Sequence, residues 1–196
     1  MEKDRLLAFS DGVIAIVITI MVLELRPPHE PTWAALAALA PTFLSYVLSF
    51  IYIAIYWNNH HHMLYAAKGV NGAILWANMA LLFCLSLVPF TTAWLGSTEG
   101  AKLPTAIYGA SLILPAFAYL ILQTLIVRAD GPDSVLARAL HASGWGDWKG
   151  KLSPLLYAIG VGLAFVAPMV SWALYVLVAL IWLVPDKRIE RVLAGR

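Results

Sequence analysis

The feature that most constrains this chain is a series of apolar runs near the length of a bilayer span, separated by proline, glycine or charge. A helix needs about 20 apolar residues to cross the hydrocarbon core, and helices are the simplest elements that satisfy every backbone polar group there. Six runs stand out, near residues 5–25, 38–58, 70–95, 104–127, 152–168 and 170–185. The last two are short and meet at Ala167-Pro168-Met169-Val170-Ser171-Trp172, so one kinked helix over 152–185 competes with two spans. The pattern predicts an all-α integral membrane protein with six transmembrane helices, residues 1–196 forming a single membrane domain. Composition agrees: 61% of the 196 residues are hydrophobic and 12% charged, where soluble domains carry roughly 25% charged residues.

Orientation follows from the basic residues, because positive charge is retained in the cytoplasm. With six spans and a cytoplasmic N-terminus, all but two of the 13 Lys and Arg fall on the inner side; Arg26 and Lys102 are the exceptions. Both termini are therefore expected in the cytoplasm, whereas five spans would export Lys187, Arg188, Arg191 and Arg196. A formal net charge of +2, with no basic patch, gives no reason to expect a nucleic-acid partner. Cys84 is the one cysteine, so no intramolecular disulfide can form. The first run lacks a small-x-small cleavage site and carries Asp11, so it reads as mature protein and not as a signal peptide. Residues 128–151 form the longest polar connection, with an Ala-Leu-rich middle suited to a short interfacial helix. Trp145 and Trp148 beside Lys149 and Lys151 suit membrane-interface anchors.

Polar groups inside the apolar runs carry the remaining information. A charge at bilayer depth costs roughly 2.5–3.5 kcal/mol on insertion scales, which makes Asp11 conspicuous. It is either a first-turn acid favoured by the helix dipole or part of a buried network with Arg5 that fixes how the first helix packs. Ser10 can donate to it or cap the backbone. His60, His61 and His62 are contiguous and point three ways on a helix, so they do not make one metal site. Asn58, His62 and Asn78 can instead face the bundle and join the aspartate network. Pro89 should kink the third span. No HExxH, GxSxG or P-loop is present, and Glu24 lies at the far end of the first run from Asp11, so neither an enzyme nor a bound cofactor is expected.

The segment Arg5-Leu6-Leu7-Ala8-Phe9-Ser10-Asp11, continued through Ala15-Ile16, Thr19 and Leu23-Glu24, resembles the RxxxFSDxxxAIxxTxxxLE pattern of the lysosomal and endosomal potassium channel family, transmembrane protein 175, in its prokaryotic branch. The Trp-His end of the second run and Asn78 through Pro89-Phe90 in the third are similar to it as well. The resemblance implies a homotetramer of six-helix subunits in the bacterial cytoplasmic membrane, conducting potassium as a weakly selective leak. The first helix of each subunit would line a central pore, without a pore loop or TVGYG-type filter. It implies a hydrophobic constriction at Ile16, continued by Ile20 and Leu23, and a contribution to selectivity from Thr19. Arg5, Phe9, Ser10 and Asp11 match the structural signature, with His62 and Asn78 as the closest candidates for its partners on neighbouring helices.

Periodicity cannot make that choice of face. Gly12, Ile16, Thr19, Ile20 and Leu23 share one stripe, but nearly every residue from Val13 to Leu23 is apolar and a stripe can be drawn on any side. The competing function is a proton-coupled secondary transporter relaying through Asp11 and His62. Transporters of that kind carry inverted repeats, and the chain has no second copy of Phe-Ser-Asp.

Overall fold

A computed structural model describes residues 3–141 and 148–183. Among them the secondary structure is helical throughout: α1 (Lys3–Leu23), α2 (Trp33–Ala37), α3 (Ala40–Ala66), α4 (Gly72–Ser86), α5 (Val88–Ser97), α6 (Lys102–Asp130), α7 (Val135–His141), α8 (Trp148–Leu163) and α9 (Pro168–Leu183). Four stretches are long and apolar enough to cross a membrane: α1, α3, the α4–α5 pair and α6, at 21, 27, 26 and 29 residues. The protein is therefore a multi-pass membrane protein. Trp145 and the C-terminal basic residues Lys187, Arg188, Arg191 and Arg196 lie outside the described residues.

The helix ends follow local chemistry. Asn71 caps α4 by accepting from the Ile74 N–H at 3.0 Å, and Thr32 caps α2 through the Ala35 N–H at 3.2 Å. α6 stops at Gly131, whose φ of 90° suits glycine and whose N–H bonds back to the Val127 carbonyl. Pro89 breaks the third span as expected: α4 ends at Ser86 and α5 restarts at Val88, with proline in its first turn. α3 runs past the expected end near residue 58. Its last turns, Trp57 to Tyr65, are polar and aromatic, which ends a hydropathy run without ending a helix.

The question of two helices or one kinked helix over 152–185 has a geometric answer. The Ser171 hydroxyl donates to the Gly160 carbonyl at 2.7 Å, and the Trp182 indole donates to Ser153 Oγ at 2.8 Å. In a continuous helix residues 153 and 182 would stand about 43 Å apart at ~1.5 Å per residue. α8 and α9 are thus an antiparallel hairpin, turning at Ala164–Ala167, where Pro168 prevents α8 from continuing.

α6 sits centrally, packed against α4, α5, α8 and α9, while α1 lies against α3, α4 and α5. In lipid, helices gain little from hydrophobicity alone and associate through close backbone approach and interhelical hydrogen bonds. Gly96 lets α5 approach Thr42 of α3 so closely that an added Cβ would stand 2.7 Å from the Thr42 Cα. Thr92 donates to Ser49 at 2.6 Å, Ser49 meets the Tyr108 hydroxyl at 2.9 Å, and Thr91 meets Ser111 at 2.9 Å, stitching α5 to α3 and α6.

The opposite end of the bundle gathers the start of α1 and the ends of α3 and α6. The Lys3 ammonium donates to the Tyr65 and Ala67 carbonyls, at 3.0 and 3.2 Å, at the end of α3, where a cation suits the exposed carbonyls. Lys68 bonds Asp130 through its backbone N–H at 2.9 Å and its ammonium at 3.2 Å. Between α8 and α9, Lys149 donates to the Ile181 carbonyl at 3.0 Å and lies over the Trp182 ring. The side chains of Trp148 and Lys151 lie outside the described residues. A short helix does form in the Ala-Leu-rich middle of 128–151: α7, capped by Ser134 Oγ accepting from the Ala137 N–H and buried through Val135, Leu136, Ala137 and Ala139.

Candidate functional site

α1 is apolar almost all round, yet packing divides it cleanly. Leu6, Ser10, Ile14, Val17 and Met21, at steps of four, four, three and four, are buried against α3, α4 and α5. The opposite stripe is open: Phe9, Gly12, Ile16, Thr19, Ile20 and Leu23 are all exposed, Ile16 at 58% and Leu23 at 75%. Hydropathy could not choose between these faces; contacts do. The stripe carrying Ile16 and Thr19 is the one that no other helix among the described residues covers.

Thr19 has a further property. Its hydroxyl donates to the Ile16 carbonyl of its own helix at 2.9 Å. With the proton turned back to the backbone, the oxygen presents only lone pairs to the open face. An exposed acceptor of this kind can replace a water in a cation's hydration shell.

Beneath the open stripe lies a polar anchor. The Ser10 hydroxyl donates to the Leu6 carbonyl at 2.8 Å, so toward its neighbours Ser10 can only accept. It accepts from Asn78 Nδ2 at 3.0 Å, which turns Asn78 Oδ1 toward His60 Nε2 at 2.6 Å. The amide oxygen must accept, so His60 carries its proton on Nε2 and leaves Nδ1 bare; that atom is buried with no partner. Ser10, Asn78 and His60 are all fully buried. This chain ties α1 to α4 and α4 to α3. A second tie runs from the Trp57 indole to Asp11 Oδ1 at 2.9 Å, and the Lys3 contacts supply a third.

Two expectations need correction here. The histidine that meets Asn78 is His60; His62 is half-buried with its ring against His61. Contiguous histidines differ by about 100° each around a helix, and packing decides which turns inward. In the folded chain Ser49, Ile53, His60 and Leu64 continue one buried stripe of α3. Asp11 is also served by Trp57 and not by Arg5, which is exposed and makes no ion pair with it among the described residues. The indole N–H was the unrecognised partner. Phe9 lies on the exposed face at 48%. Asn58 is half-buried. Among the described residues no three His, Cys, Asp or Glu side chains converge to hold a metal.

Comparison with known proteins places this architecture. The family model for the endosomal/lysosomal potassium channel TMEM175 matches residues 5–89, the segment that contains α1 and its anchor. A protein named potassium channel from Chryseobacterium sp. (strain P1-3) is 51% identical over 191 residues, covering 97% of both chains. The chain belongs to the TMEM175 family. A TMEM175 homolog from Chamaesiphon minutus, described as a lysosomal potassium-selective channel, has a crystal structure that superposes with a TM-score of 0.81. Its sequence is 25% identical, and the match covers 94% of this chain and 97% of that one. The human relative, named endosomal/lysosomal proton channel TMEM175, is 34% identical over 99 residues, 44% of this chain and 19% of its own length. Membership of TMEM175 makes this an ion-channel protein, and the matched segment is the one whose open stripe and polar anchor stand out physically.

Proposed function

We propose that the protein is a weakly selective potassium leak channel of the bacterial cytoplasmic membrane, a homotetramer whose four α1 helices line a central pore. The observation that carries this reading is the division of α1: one face locked by Ser10, Asp11 and Lys3 to α3 and α4, the other face uncovered and bearing Ile16, Thr19, Ile20 and Leu23. Each subunit would contribute six spans, with the α8–α9 hairpin as the last pair. Lys3, Arg5, Lys68 and Arg128 at one end of the bundle, against Arg26 and Lys102 at the other, favour cytoplasmic termini under the positive-inside rule.

Four Ile16 side chains facing one axis form a hydrophobic constriction, which excludes water when narrow and conducts after a modest widening. The Thr19 oxygens beyond it offer acceptors to a partly dehydrated ion. Potassium releases its hydration shell more easily than sodium, so such a ring selects weakly. Potassium passes as substrate and is not a resident cofactor, and the anchor residues position the helix without touching the ion.

The test is single-channel recording of purified protein in planar bilayers with potassium on one side and sodium on the other. Unitary current steps with a reversal potential favouring potassium are the expected result. Potassium flux without unitary steps would indicate alternating access and remove the channel reading. Proton flux alone would remove potassium as the permeant ion.

A further inference from the structure

The outer end of α1 breaks a local rule. Cations are favoured at a helix C-terminus, where the unpaired carbonyls carry partial negative charge, yet the last turn of α1 holds no basic residue and Glu24 follows Leu23 directly. Glu24 is exposed, and Arg26 makes no ion pair with it among the described residues. It stands one helical turn beyond Ile20, on the flank of the open stripe. Beside it lies a groove of about 580 Å³ lined by Glu24, Arg26, Thr42, Phe90, Trp94 and Ser97, with the Phe90 and Trp94 rings 6.1 Å apart. Carbonyl ends, a carboxylate and aromatic faces favour positive charge at this place, opposed by the guanidinium of Arg26 in the same lining. Sequences that contradict local preference without a local partner do so most often where function requires it.

We propose that Glu24 is a conduction-determining residue: four copies form an acidic ring at the outer mouth that concentrates hydrated monovalent cations before they reach Thr19 and Ile16. This rests on the reading of α1 as the pore helix of a tetramer. Four unit charges about 10 Å from the axis, in water, raise the cation concentration there roughly sevenfold at ~0.01 M salt, about threefold at ~0.1 M and hardly at all at ~1 M, because the screening length falls from about 30 to 3 Å. The effect therefore belongs to dilute solutions and to ions entering from the Glu24 side.

Unitary conductance of wild type, Glu24→Gln and Glu24→Asp in symmetrical potassium chloride at those three concentrations tests it. The expected result is a Glu24→Gln current from the Glu24 side several-fold below wild type in the most dilute solution and equal to it in the most concentrated, with Glu24→Asp close to wild type throughout. Equal currents for wild type and Glu24→Gln in dilute salt overturn the proposal while leaving the pore reading intact. A loss independent of salt, or a loss of tetramer with unchanged conductance, also overturns it, by assigning Glu24 to packing. Absence of unitary currents from wild type removes the pore reading itself.

Discussion

Replacing Asn78 by alanine tests the anchor most directly. The amide accepts from His60 Nε2 at 2.6 Å and donates to Ser10 Oγ at 3.0 Å, all three groups fully buried. Ser10 keeps its bond to the Leu6 carbonyl and forfeits one accepted bond, worth about 0.6 kcal/mol for an interhelical pair in a membrane. His60 suffers more: its Nε2–H is left buried without an acceptor, and Nδ1 already has none. An orphaned buried donor costs about 1–3 kcal/mol, so Asn78→Ala should destabilise by about 2–4 kcal/mol once the small void is included. The double variant His60→Leu/Asn78→Leu removes donor and acceptor together and should recover much of that loss, since apolar replacement of both partners approaches neutrality. Thermal unfolding in detergent, read as surviving oligomer by size exclusion, gives both values. A single-variant cost below about 0.5 kcal/mol, or a double variant no better than the single, would refute the assignment of the hydrogen bonds and of the histidine tautomer.

Ile16→Asn should fold like wild type, raise unitary conductance and weaken potassium preference, whereas Ile14→Asn, on the buried face at 1% exposure, should abolish folded protein; parallel size-exclusion and bilayer recordings separate the two. Thr19→Val keeps side-chain volume and removes the lone pairs turned to the open face, so bi-ionic reversal potentials should shift toward sodium while current persists. Gly96→Ala forces a methyl against the Thr42 backbone and should cost about 1–3 kcal/mol of thermal stability, by pushing α5 away from α3; an unchanged melting temperature would mean that this contact relaxes freely.

Sequence reading recovered the elements and lost the partners. The first, third and fourth runs, near 5–25, 70–95 and 104–127, fall within two or three residues of the observed helix ends, because a long apolar run bounded by proline, glycine or charge has few alternatives. The break at Pro89 was legible for the same reason. The end of α3 was not, since a helix emerging into the interface keeps its backbone bonds while its side chains turn polar. Nor was the inward histidine: hydropathy ranks His60, His61 and His62 equally, and only the neighbouring helices distinguish them. The pairing of Asp11 with Trp57 lay deeper still, because an indole N–H carries no charge to announce it. Of the motif residues, Ser10 and Asn78 proved to be bonded to each other.

The α8–α9 hairpin bears on the lipid around the protein. From Lys149 to the turn at Phe165 and Val166 is a rise of about 24 Å, and the turn itself is apolar, with Val166 81% exposed and Met169 82%. In the six-span arrangement this pair reaches less than the ~30 Å of an average hydrocarbon core, and its tip has no polar residue with which to face water. A hairpin of that reach, inserted as the last two spans, would require the bilayer to thin along this one flank, at a cost of fractions of a kcal/mol per ångström of mismatch. Such a subunit would carry a lopsided elastic footprint, and membranes of shorter acyl chains should then hold it with less deformation than thick ones.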